Sequence, residues 1–355
     1  MHDNISPSAV STQNRLHHED LEVGRAVELG QRTVTKEAIL AFGRTWDPQP
    51  LHVDEEPAKT TLVGGLCASG WHTCCITMRL MADGLLNRVV SLGSPGLDEG
   101  RWMVPVRPGD VVSCRYTVLE KRDLASRPEV GICKVLVELS NQKGEKVADW
   151  RTNQLIRRRD PGPAPGASAA KRERKAIVSL WDEPRCAAGP LRPDLYLEDR
   201  QIGELTDLGS HTFERDEIIA FASEFDPQPF HLDDAAAKAS LFGALCASGW
   251  HTVLYAVRGN IRSRLAGNQE ARARGIRLAA YGPSPGFRSL SWPKPVYVGD
   301  RLEYRGRLAQ KIDLKSRPDR GILATEIQAR NQKGEIVLLA TQQILAERRE
   351  PYRPA

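Results

Sequence analysis

An aspartate and a histidine occur twice in the chain at the same spacing, inside a short turn that contains two prolines. The pairs are Asp47 with His52 and Asp226 with His231, in D-P-Q-P-L-H and D-P-Q-P-F-H. A stiff turn that holds a carboxylate and an imidazole toward one small volume suits acid–base catalysis on a bound substrate. The alternative is structural: the aspartate turns the chain and the histidine begins a helix. The spacing alone leaves both interpretations open.

A serine–glycine pair follows each turn, at the expected start of an apolar helix. The pairs are Ser69-Gly70 and Ser248-Gly249, each within A-S-G-W-H-T. Free backbone N–H groups at a helix N-terminus, with the helix dipole behind them, suit a developing oxyanion. Glycine also lets a ligand carbonyl approach closely. Tight helix packing explains the same residues equally well.

A histidine follows the tryptophan of this motif in each copy, at His72 and His251. On an apolar helix such a residue packs or forms internal hydrogen bonds more often than it reacts. A metal site made of Asp47, His52 and His72 has a spacing that matches no familiar ligand pattern. We therefore expect no metal.

The two motifs belong to a duplication that covers most of the chain. The 28 residues from Trp46 and the 28 residues from Phe225 are identical at 18 positions. The similarity continues, after an 11-residue insertion in the second copy, to N-Q-K-G-E at Asn141 and Asn331. Two copies with a period near 180 residues indicate a domain duplication, not a solenoid.

The duplication predicts two domains and a linker. We expect an N-terminal domain at 18–159 and a C-terminal domain at 196–349. The segment between them, 160–195, is rich in proline, glycine, alanine and charge, which is typical of a linker.

The pattern within each copy predicts an α+β fold. A short extended piece precedes a small helix, on which Ile39, Phe42 and Trp46 recur at helical spacing, and the D-P-Q-P turn ends that helix. The helix that begins at A-S-G-W-H-T is apolar nearly all round, so it is expected to be buried. The remainder alternates apolar and polar residues between turn signals, which predicts an antiparallel meander. This alternation is shown by Val112, Cys114, Tyr116 and Val118. We expect an antiparallel sheet wrapped around a long central helix in each copy, and the two copies paired as a pseudo-dimer.

Composition excludes several classes of protein. The 50 basic residues are nearly balanced by 45 acidic ones, without a sustained basic tract, which argues against a nucleic-acid partner. The sequence contains no run of 18 apolar residues, so no membrane span is predicted, and the first 24 residues do not resemble a signal peptide. The seven cysteines include no C-x-x-C pair, which favours reduced thiols and the cytoplasm.

The motifs together resemble the MaoC-like dehydratase family, the (R)-specific enoyl-CoA hydratase group of hotdog folds. The resemblance is carried by the D-P-Q-P-x-H turn, the A-S-G-W-H-T helix and S-P-G…P-V-x-x-G-D at 94–110 and 284–300. It covers both copies and implies a tandem, double hotdog protein. Gln49 and Gln228 stand where the family usually has asparagine.

The resemblance implies a role for each motif residue. The catalytic aspartates and histidines of the family correspond to Asp47, His52, Asp226 and His231. The groups that hold the thioester oxyanion correspond to Gly70 and Gly249, next to Ser69 and Ser248. The implied reaction adds or removes water across the α,β double bond of an acyl thioester, an enoyl-CoA or 3-hydroxyacyl-CoA. It needs no cofactor other than the coenzyme A of the substrate.

Two other functions remain open at this stage. A hotdog thioesterase is expected to use one carboxylate to direct water at the carbonyl, so the paired histidine argues against it. A non-catalytic acyl-CoA-binding module is expected to have lost the acid–base pair, and neither copy has lost it. The expected partner is an acyl-CoA small molecule, and the pseudo-dimers are candidates for a homo-oligomer.

The second copy differs from the first in ways that bear on its site. Phe230 replaces Leu51 within the turn, and we expect it to narrow the second acyl pocket. The insertion predicts either a solvated surface segment or a set of contacts to the phosphates of coenzyme A. Its arginines are Arg258, Arg262, Arg264, Arg272, Arg274 and Arg277. We expect both halves to be catalytic.

Overall fold

A computed structural model describes residues 15–124, 126–161, 177–182 and 193–352. Most of the predicted linker, 160–195, therefore lies outside the described residues. One described part of it, 177–182, packs on the second half of the chain: Leu180 is fully buried, and its backbone N–H donates to the side-chain carbonyl of Gln328 at 3.0 Å.

The first half of the chain combines long strands with short helices. Its strands are β1 (Ala26–Thr33), β2 (Gly96–Trp102), β3 (Val111–Asp123), β4 (Val130–Ser140) and β5 (Lys146–Arg157). Its α-helices are α1 (Lys36–Trp46), α2 (Pro50–Val53), α3 (Glu55–Lys59) and α4 (Gly70–Gly84). Short 3-10 turns lie at His18–Asp20 and Leu86–Arg88.

The second half repeats this order with two changes. Its strands are β6 (Leu205–Thr212), β7 (Gly286–Ser291), β8 (Arg301–Asp313), β9 (Arg320–Arg330) and β10 (Ile336–Glu347). Its α-helices are α5 (Arg215–Phe225), α6 (Asp234–Lys238) and α7 (Gly249–Ala273), and 3-10 turns lie at Leu197–Asp199 and Pro229–His231. The first change is that the 3-10 turn at Pro229–His231 occupies the position that α2 has in the first half. The second is that α7 has 25 residues, whereas α4 has 15.

The proline-containing turn places Asp47 at a fixed bend between two helices. Thr35 caps the start of α1 by accepting a hydrogen bond from the Ala38 backbone N–H. The helix ends at Asp47 because Pro48 disfavours helical backbone in the residue before it. Pro50 then occupies the first position of α2, where no backbone N–H is needed.

Helix α4 is buried on nearly all sides, as its apolar sequence predicts. Eleven of its residues are buried, and it contacts β1 and β3. Helix α7 makes the matching contacts with β6 and β8. Ser69 caps α4 and Ser248 caps α7, each by accepting from the backbone N–H two residues ahead. Among the described residues, no helix is long and apolar enough to cross a membrane.

The strands form one ten-stranded sheet in the order β1-β3-β4-β5-β2-β7-β10-β9-β8-β6. Every pair of neighbours is antiparallel, which confirms the predicted meander. The two five-stranded halves join edge to edge through β2 and β7. Gly96 and Gly286 permit this junction because both have a φ of +151°, and a Cβ at either would collide with a backbone carbonyl of the other half.

Candidate active sites

The predicted pair Asp47 and His52 meets in a buried corner near the start of α4. Asp47 ends α1 and His52 lies in α2, and their side chains are 5% and 7% exposed. Asp47 Oδ2 and His52 Nε2 are 3.6 Å apart. This distance exceeds that of a good hydrogen bond. Both atoms are therefore free to share a contact with a small molecule in front of them.

Two donors hold the Asp47 carboxylate in one orientation. Ser69 Oγ donates to Oδ2 at 2.6 Å, and Gln49 Nε2 donates to Oδ1 at 2.9 Å. Glutamine is one methylene longer than the usual asparagine, yet its amide reaches the carboxylate from the turn. Gln49 therefore supplies a hydrogen-bond donor to Asp47, although glutamine differs from the usual residue of the family.

The hydrogen bond of His52 fixes the tautomer of its ring. Nδ1 lies 2.9 Å from the Cys67 carbonyl oxygen. Because a carbonyl oxygen only accepts, Nδ1 carries the proton. In the neutral ring, Nε2 then presents a lone pair on the side that faces Asp47, which is what a general base requires.

The second half reproduces this geometry. Ser248 Oγ donates to Asp226 Oδ2 at 2.7 Å, and Gln228 Nε2 donates to Oδ1 at 3.0 Å. His231 Nδ1 lies 2.8 Å from the Cys246 carbonyl oxygen, and its Nε2 lies 3.5 Å from Asp226 Oδ2. Sequence drift around the turn has left the arrangement of the acid–base pair unchanged.

The serine and glycine of each motif divide their tasks. Ser69 donates its single hydroxyl proton to Asp47. The same hydroxyl therefore cannot also donate to a thioester oxygen. Gly70 is the first residue of α4, where a backbone N–H has no partner within the helix. A Cβ at Gly70 would collide with the Trp102 ring, so tight packing requires glycine as well. Gly249 stands in the same relation to α7 and Trp292.

The histidines on the long helices are core residues, as predicted. His72 stacks on Phe42 and His251 stacks on Phe221, with ring centroids 4.4 Å apart in both pairs. Burial lowers the pKa of each ring to about 3. Both rings are therefore neutral at physiological pH.

A cysteine beside each site histidine is not a nucleophile. Cys67 Sγ lies 3.9 Å from His52 Nδ1, and Cys246 Sγ lies 3.7 Å from His231 Nδ1. Burial raises the pKa of the Cys67 thiol to about 11 and that of Cys246 to about 12. The reactive form of cysteine is the thiolate, which is scarce at such pKa values.

Each acid–base pair lines a cavity whose far wall comes from the other half. The first cavity, lined by Asp47 and His52, has a volume of about 340 Å³, and the second cavity, lined by Asp226 and His231, about 410 Å³. Such volumes suit small ligands. The second half contributes to the first cavity Ile261, Arg264, Tyr281, Gln342 and Ile344. The first half contributes to the second cavity Met78, Leu86, Leu92, Gln154 and Leu155.

Phe230 lines the second cavity, and narrowing of that pocket by its ring stays a prediction. The Phe230 ring packs into the wall against Phe242, with centroids 4.9 Å apart. In the first cavity, Arg264 and Tyr281 of the other half line the wall instead. The residues across the junction and the residue within the turn therefore both line each cavity.

The basic insertion lengthens α7, and its arginines separate by environment. Arg264 is buried and lines the first cavity, where it forms a bidentate ion pair with Asp194 at 2.7 and 3.1 Å. Arg258 lies over the Tyr255 ring at 4.3 Å. The exposed members are Arg262, Arg272, Arg274 and Arg277. Contact between these and the phosphates of coenzyme A stays a prediction.

Two residues at the sites have no signal in the sequence. Ser91 contacts Gln228 across the halves, and Arg264 contacts Gln49 in the same way. In the sequence, Arg264 is one of six arginines of the insertion, and Ser91 belongs to no motif. Asp194, the ion-pair partner of Arg264, lies within the predicted linker, 160–195. The chain separates Ser91 from Gln228 by 137 positions and Arg264 from Gln49 by 215, and only an alignment that showed correlated changes could have paired them.

The profile of the MaoC like domain family matches the chain at residues 20–139 and 199–329. The chain belongs to this family and carries its domain twice. The (R)-specific enoyl-CoA hydratase of Rhodospirillum rubrum is 28% identical over 134 residues, which are 35% of this chain and 88% of that protein. The uncharacterized protein YdeM of Bacillus subtilis is 31% identical over 141 residues, 39% of this chain and 98% of its own length.

Solved structures share the fold over nearly the whole chain. A protein described as a MaoC domain dehydratase from Chloroflexus aurantiacus has a TM-score of 0.72 at 18% identity, over 96% of this chain and all of the other. A Mycobacterium tuberculosis protein described as a double hotdog has a TM-score of 0.61 at 16% identity, over 94% and 98% of the two chains. The fold is therefore a double hotdog.

Proposed function

We propose that the protein is a hydratase or dehydratase of acyl thioesters, such as an enoyl-CoA or a 3-hydroxyacyl-CoA. Membership of the family supports hydratase chemistry in general. The geometry of the two sites supports the hydration or dehydration of an acyl thioester. The observation that carries the proposal is the repeated site: an aspartate and a histidine, 3.6 or 3.5 Å apart, face one cavity beside the N-terminus of a buried helix.

The acid–base pair would activate water. Asp47 Oδ2 and His52 Nε2 are placed to accept hydrogen bonds from one water molecule, which aligns its oxygen with the β-carbon of the substrate. As the C–O bond forms, the pair takes one proton from the water. Asp226 and His231 would do the same in the second cavity.

The helix N-terminus would stabilise the charge that develops on the thioester. Attack at the β-carbon moves electrons through the double bond onto the thioester oxygen and produces an enolate. The Gly70 or Gly249 backbone N–H, with the helix dipole behind it, would hold that oxygen. Return of the proton to the α-carbon completes the addition of one water molecule. No metal or redox cofactor takes part in this scheme, and coenzyme A enters only with the substrate.

Two alternatives are less well supported by the sites. A thioesterase would direct water at the carbonyl carbon with one carboxylate, which leaves the paired histidine without a task. A non-catalytic acyl-CoA-binding module has no need of a histidine with a fixed tautomer beside an aspartate. Both features occur in both halves.

The domain plan of the proposal follows the duplication. We propose domains at 18–159 and 196–349, each with its sheet wrapped around α4 or α7, and paired as a pseudo-dimer. The substrate is proposed to be a small acyl-CoA, and further association into a homo-oligomer stays a prediction. The described cysteines are all buried and free, which supports action in the reducing cytoplasm.

An assay with an enoyl-CoA such as crotonyl-CoA tests the proposal. Hydration removes the conjugated double bond, so its absorbance falls while the thioester survives and no free thiol appears. The reverse reaction, from the 3-hydroxyacyl-CoA, restores the absorbance. Release of coenzyme A would instead identify a thioesterase. Binding of enoyl-CoA without turnover, across a panel of acyl chains, would identify a binding module.

A further inference from the structure

The glutamine of the second D-P-Q-P turn joins the site aspartate to the opposite half of the chain. Gln228 Nε2 donates to Asp226 Oδ1 at 3.0 Å. Gln228 Oε1 accepts from Ser91 Oγ, also at 3.0 Å. Ser91 lies 137 positions earlier in the chain, in the first half, shortly before β2. The hydroxyl that meets this glutamine therefore belongs to the other half.

The first turn makes the same connection with different chemistry. Gln49 Nε2 donates to Asp47 Oδ1 at 2.9 Å, and Gln49 Oε1 accepts from Arg264 Nη1 at 3.4 Å. Arg264 belongs to α7, in the second half. Both sites thus have the same chain of contacts, from aspartate to glutamine to a donor across the junction.

Equivalent backbone positions explain why the donors differ. Ser91 pairs with Ile156 in an isolated antiparallel bridge, and Tyr281 pairs with Ala346 in the matching bridge of the second half. At this position the first half has a small hydroxyl residue that reaches Gln228 directly. The second half has Tyr281, whose ring lies 4.9 Å below the Arg264 guanidinium. The arginine is thereby placed where the serine hydroxyl would be.

Arg264 is itself held firmly. Its Nε and Nη2 donate to the two oxygens of Asp194 at 2.7 and 3.1 Å, and Asn268 Nδ2 donates to Asp194 Oδ2 at 2.8 Å. Burial opposes the charge of Arg264, but Asp194 outweighs it, and the pKa of Arg264 lies above its ordinary value. A charged and fixed guanidinium thus faces Gln49.

A donor to the glutamine oxygen decides which end of the amide faces the aspartate. An amide has one accepting oxygen and one donating nitrogen at opposite sides. While Oε1 is bound to a donor, Nε2 must point at the carboxylate. Without that donor, a rotated amide would place its oxygen against the carboxylate oxygen, which is repulsive, and the aspartate would lose one of its two orienting contacts.

We infer that Ser91 and Arg264 are positioning residues, each for the site of the other half: Ser91 orients Asp226 through Gln228, and Arg264 orients Asp47 through Gln49. The inference rests on the proposed function. Each site is then complete only when both halves are present, although its acid–base pair comes from one half.

Variants with only one active site measure the effect of Ser91 on the second site separately from any effect on the first. Asp47→Asn leaves only the second site active, and Asp226→Asn leaves only the first. Adding Ser91→Ala to Asp47→Asn is expected to lower kcat about tenfold, the kinetic equivalent of one hydrogen bond, with little change in KM. Adding Ser91→Ala to Asp226→Asn is expected to leave kcat unchanged. Ser91→Thr, which keeps the hydroxyl, is expected to restore the second site.

The arginine requires a paired change, because Arg264→Met alone leaves Asp194 buried and uncompensated. Asp194→Asn with Arg264→Met removes both charges. In the Asp226→Asn background it is expected to lower kcat about tenfold, and in the Asp47→Asn background to leave kcat unchanged. Arg317→Met with Asp319→Asn, which removes an exposed ion pair that lines neither cavity, is the matched control, and thermal unfolding verifies that each variant is folded.

The outcomes distinguish this inference from the proposed function. Wild-type protein that hydrates enoyl-CoA, combined with Ser91→Ala variants that slow both sites equally or neither, overturns the cross-half roles alone. Wild-type protein that hydrates no thioester overturns the proposed function. In that case a crystal structure of Ser91→Ala still decides the positioning role: a Gln228 amide turned away from Asp226 supports it, and an unmoved amide overturns it.

Discussion

The cavities at Asp47 and at Asp226 have nearly the same acid–base corner and different far walls. Aspartate, histidine, glutamine and serine occupy matching places, with corresponding distances that agree within about 0.1 Å. Across the cavity, Arg264 and Tyr281 face the first site, whereas Leu86 and Leu92 face the second. Because part of each wall belongs to the other half, the duplicated motif can stay constant while the cavity wall changes. The comparison teaches that each site takes its acid–base corner from one half and part of its cavity wall from the other.

The largest expected effect tests whether the shared corner is active in both halves. Asp47→Asn and Asp226→Asn together should lower hydratase activity at least about 100-fold, because the acid–base group is lost at both sites. Each single change should remove only part of the activity. Asp83→Asn, an exposed carboxylate on α4, is the control. If either single change abolishes turnover of every thioester tried while the protein remains folded, the claim of two active sites is wrong. One half would then have only a structural role.

The paired core histidines should give both halves the same acid sensitivity. An unfolded imidazole has a pKa near 6.5, and burial lowers the pKa of His72 and of His251 to about 3. Protons therefore bind more readily to the unfolded chain, so this contribution to stability is complete above pH 6.5 and is lost as the pH falls toward 3. Each histidine should remove about 1.4 kcal/mol of unfolding free energy per pH unit in that range.

Denaturant titrations at pH 7 and pH 5 measure this effect. His72→Phe and His251→Phe keep an aromatic ring against Phe42 or Phe221 and remove the titrating group. Each variant should lose less stability than the wild type between the two pH values, by similar amounts. Equal pH dependence in the variant and the wild type would contradict the assignment.

The far walls should give the two sites different preferences for the acyl chain. The second cavity, with Met78, Leu86 and Leu92, should gain about fourfold in kcat/KM for each methylene added to a straight enoyl chain until the cavity is filled. The first cavity should gain less, because the charged Arg264 interrupts its apolar wall, whereas each wall has a glutamine from the other half. The two single-site aspartate variants, assayed on enoyl-CoAs of increasing length, measure both slopes. Equal slopes would remove the proposed difference in selectivity.

The smallest effect concerns the rest of the insertion. Arg272, Arg274 and Arg277 are exposed and line neither cavity. Their combined change to glutamine should alter KM for enoyl-CoA by less than about twofold, as expected of exposed charges. A larger rise in KM, with a weaker dependence on salt, would show that these arginines meet the phosphates of coenzyme A. The insertion would then serve substrate binding beyond the contribution of Arg264.

The sequence alone predicted the order of the main elements and, together with the resemblance, the acid–base corner. Alternation along β3 predicted the inward face, and Val112, Cys114, Tyr116 and Val118 are all buried. The apolar stretch after A-S-G-W-H-T predicted a buried helix, and the prolines predicted the end of α1. These features depend on contacts a few residues apart, or on the pattern of burial along one element. Asp47 and His52 are joined by such a local turn, so their proximity followed from spacing and from the resemblance.

The far walls and the cross-half contacts depended on the tertiary structure. The distances from Gln228 to Ser91 and from Gln49 to Arg264 follow from the edge-to-edge pairing of β2 with β7, which brings segments separated by 137 and 215 positions together. No periodicity in either segment encodes its partner. The same pairing places residues of one half in the cavity wall of the other, which no motif within one half predicts. A motif within one turn is determined locally, whereas a pocket shared by two domains is determined by how those domains pack.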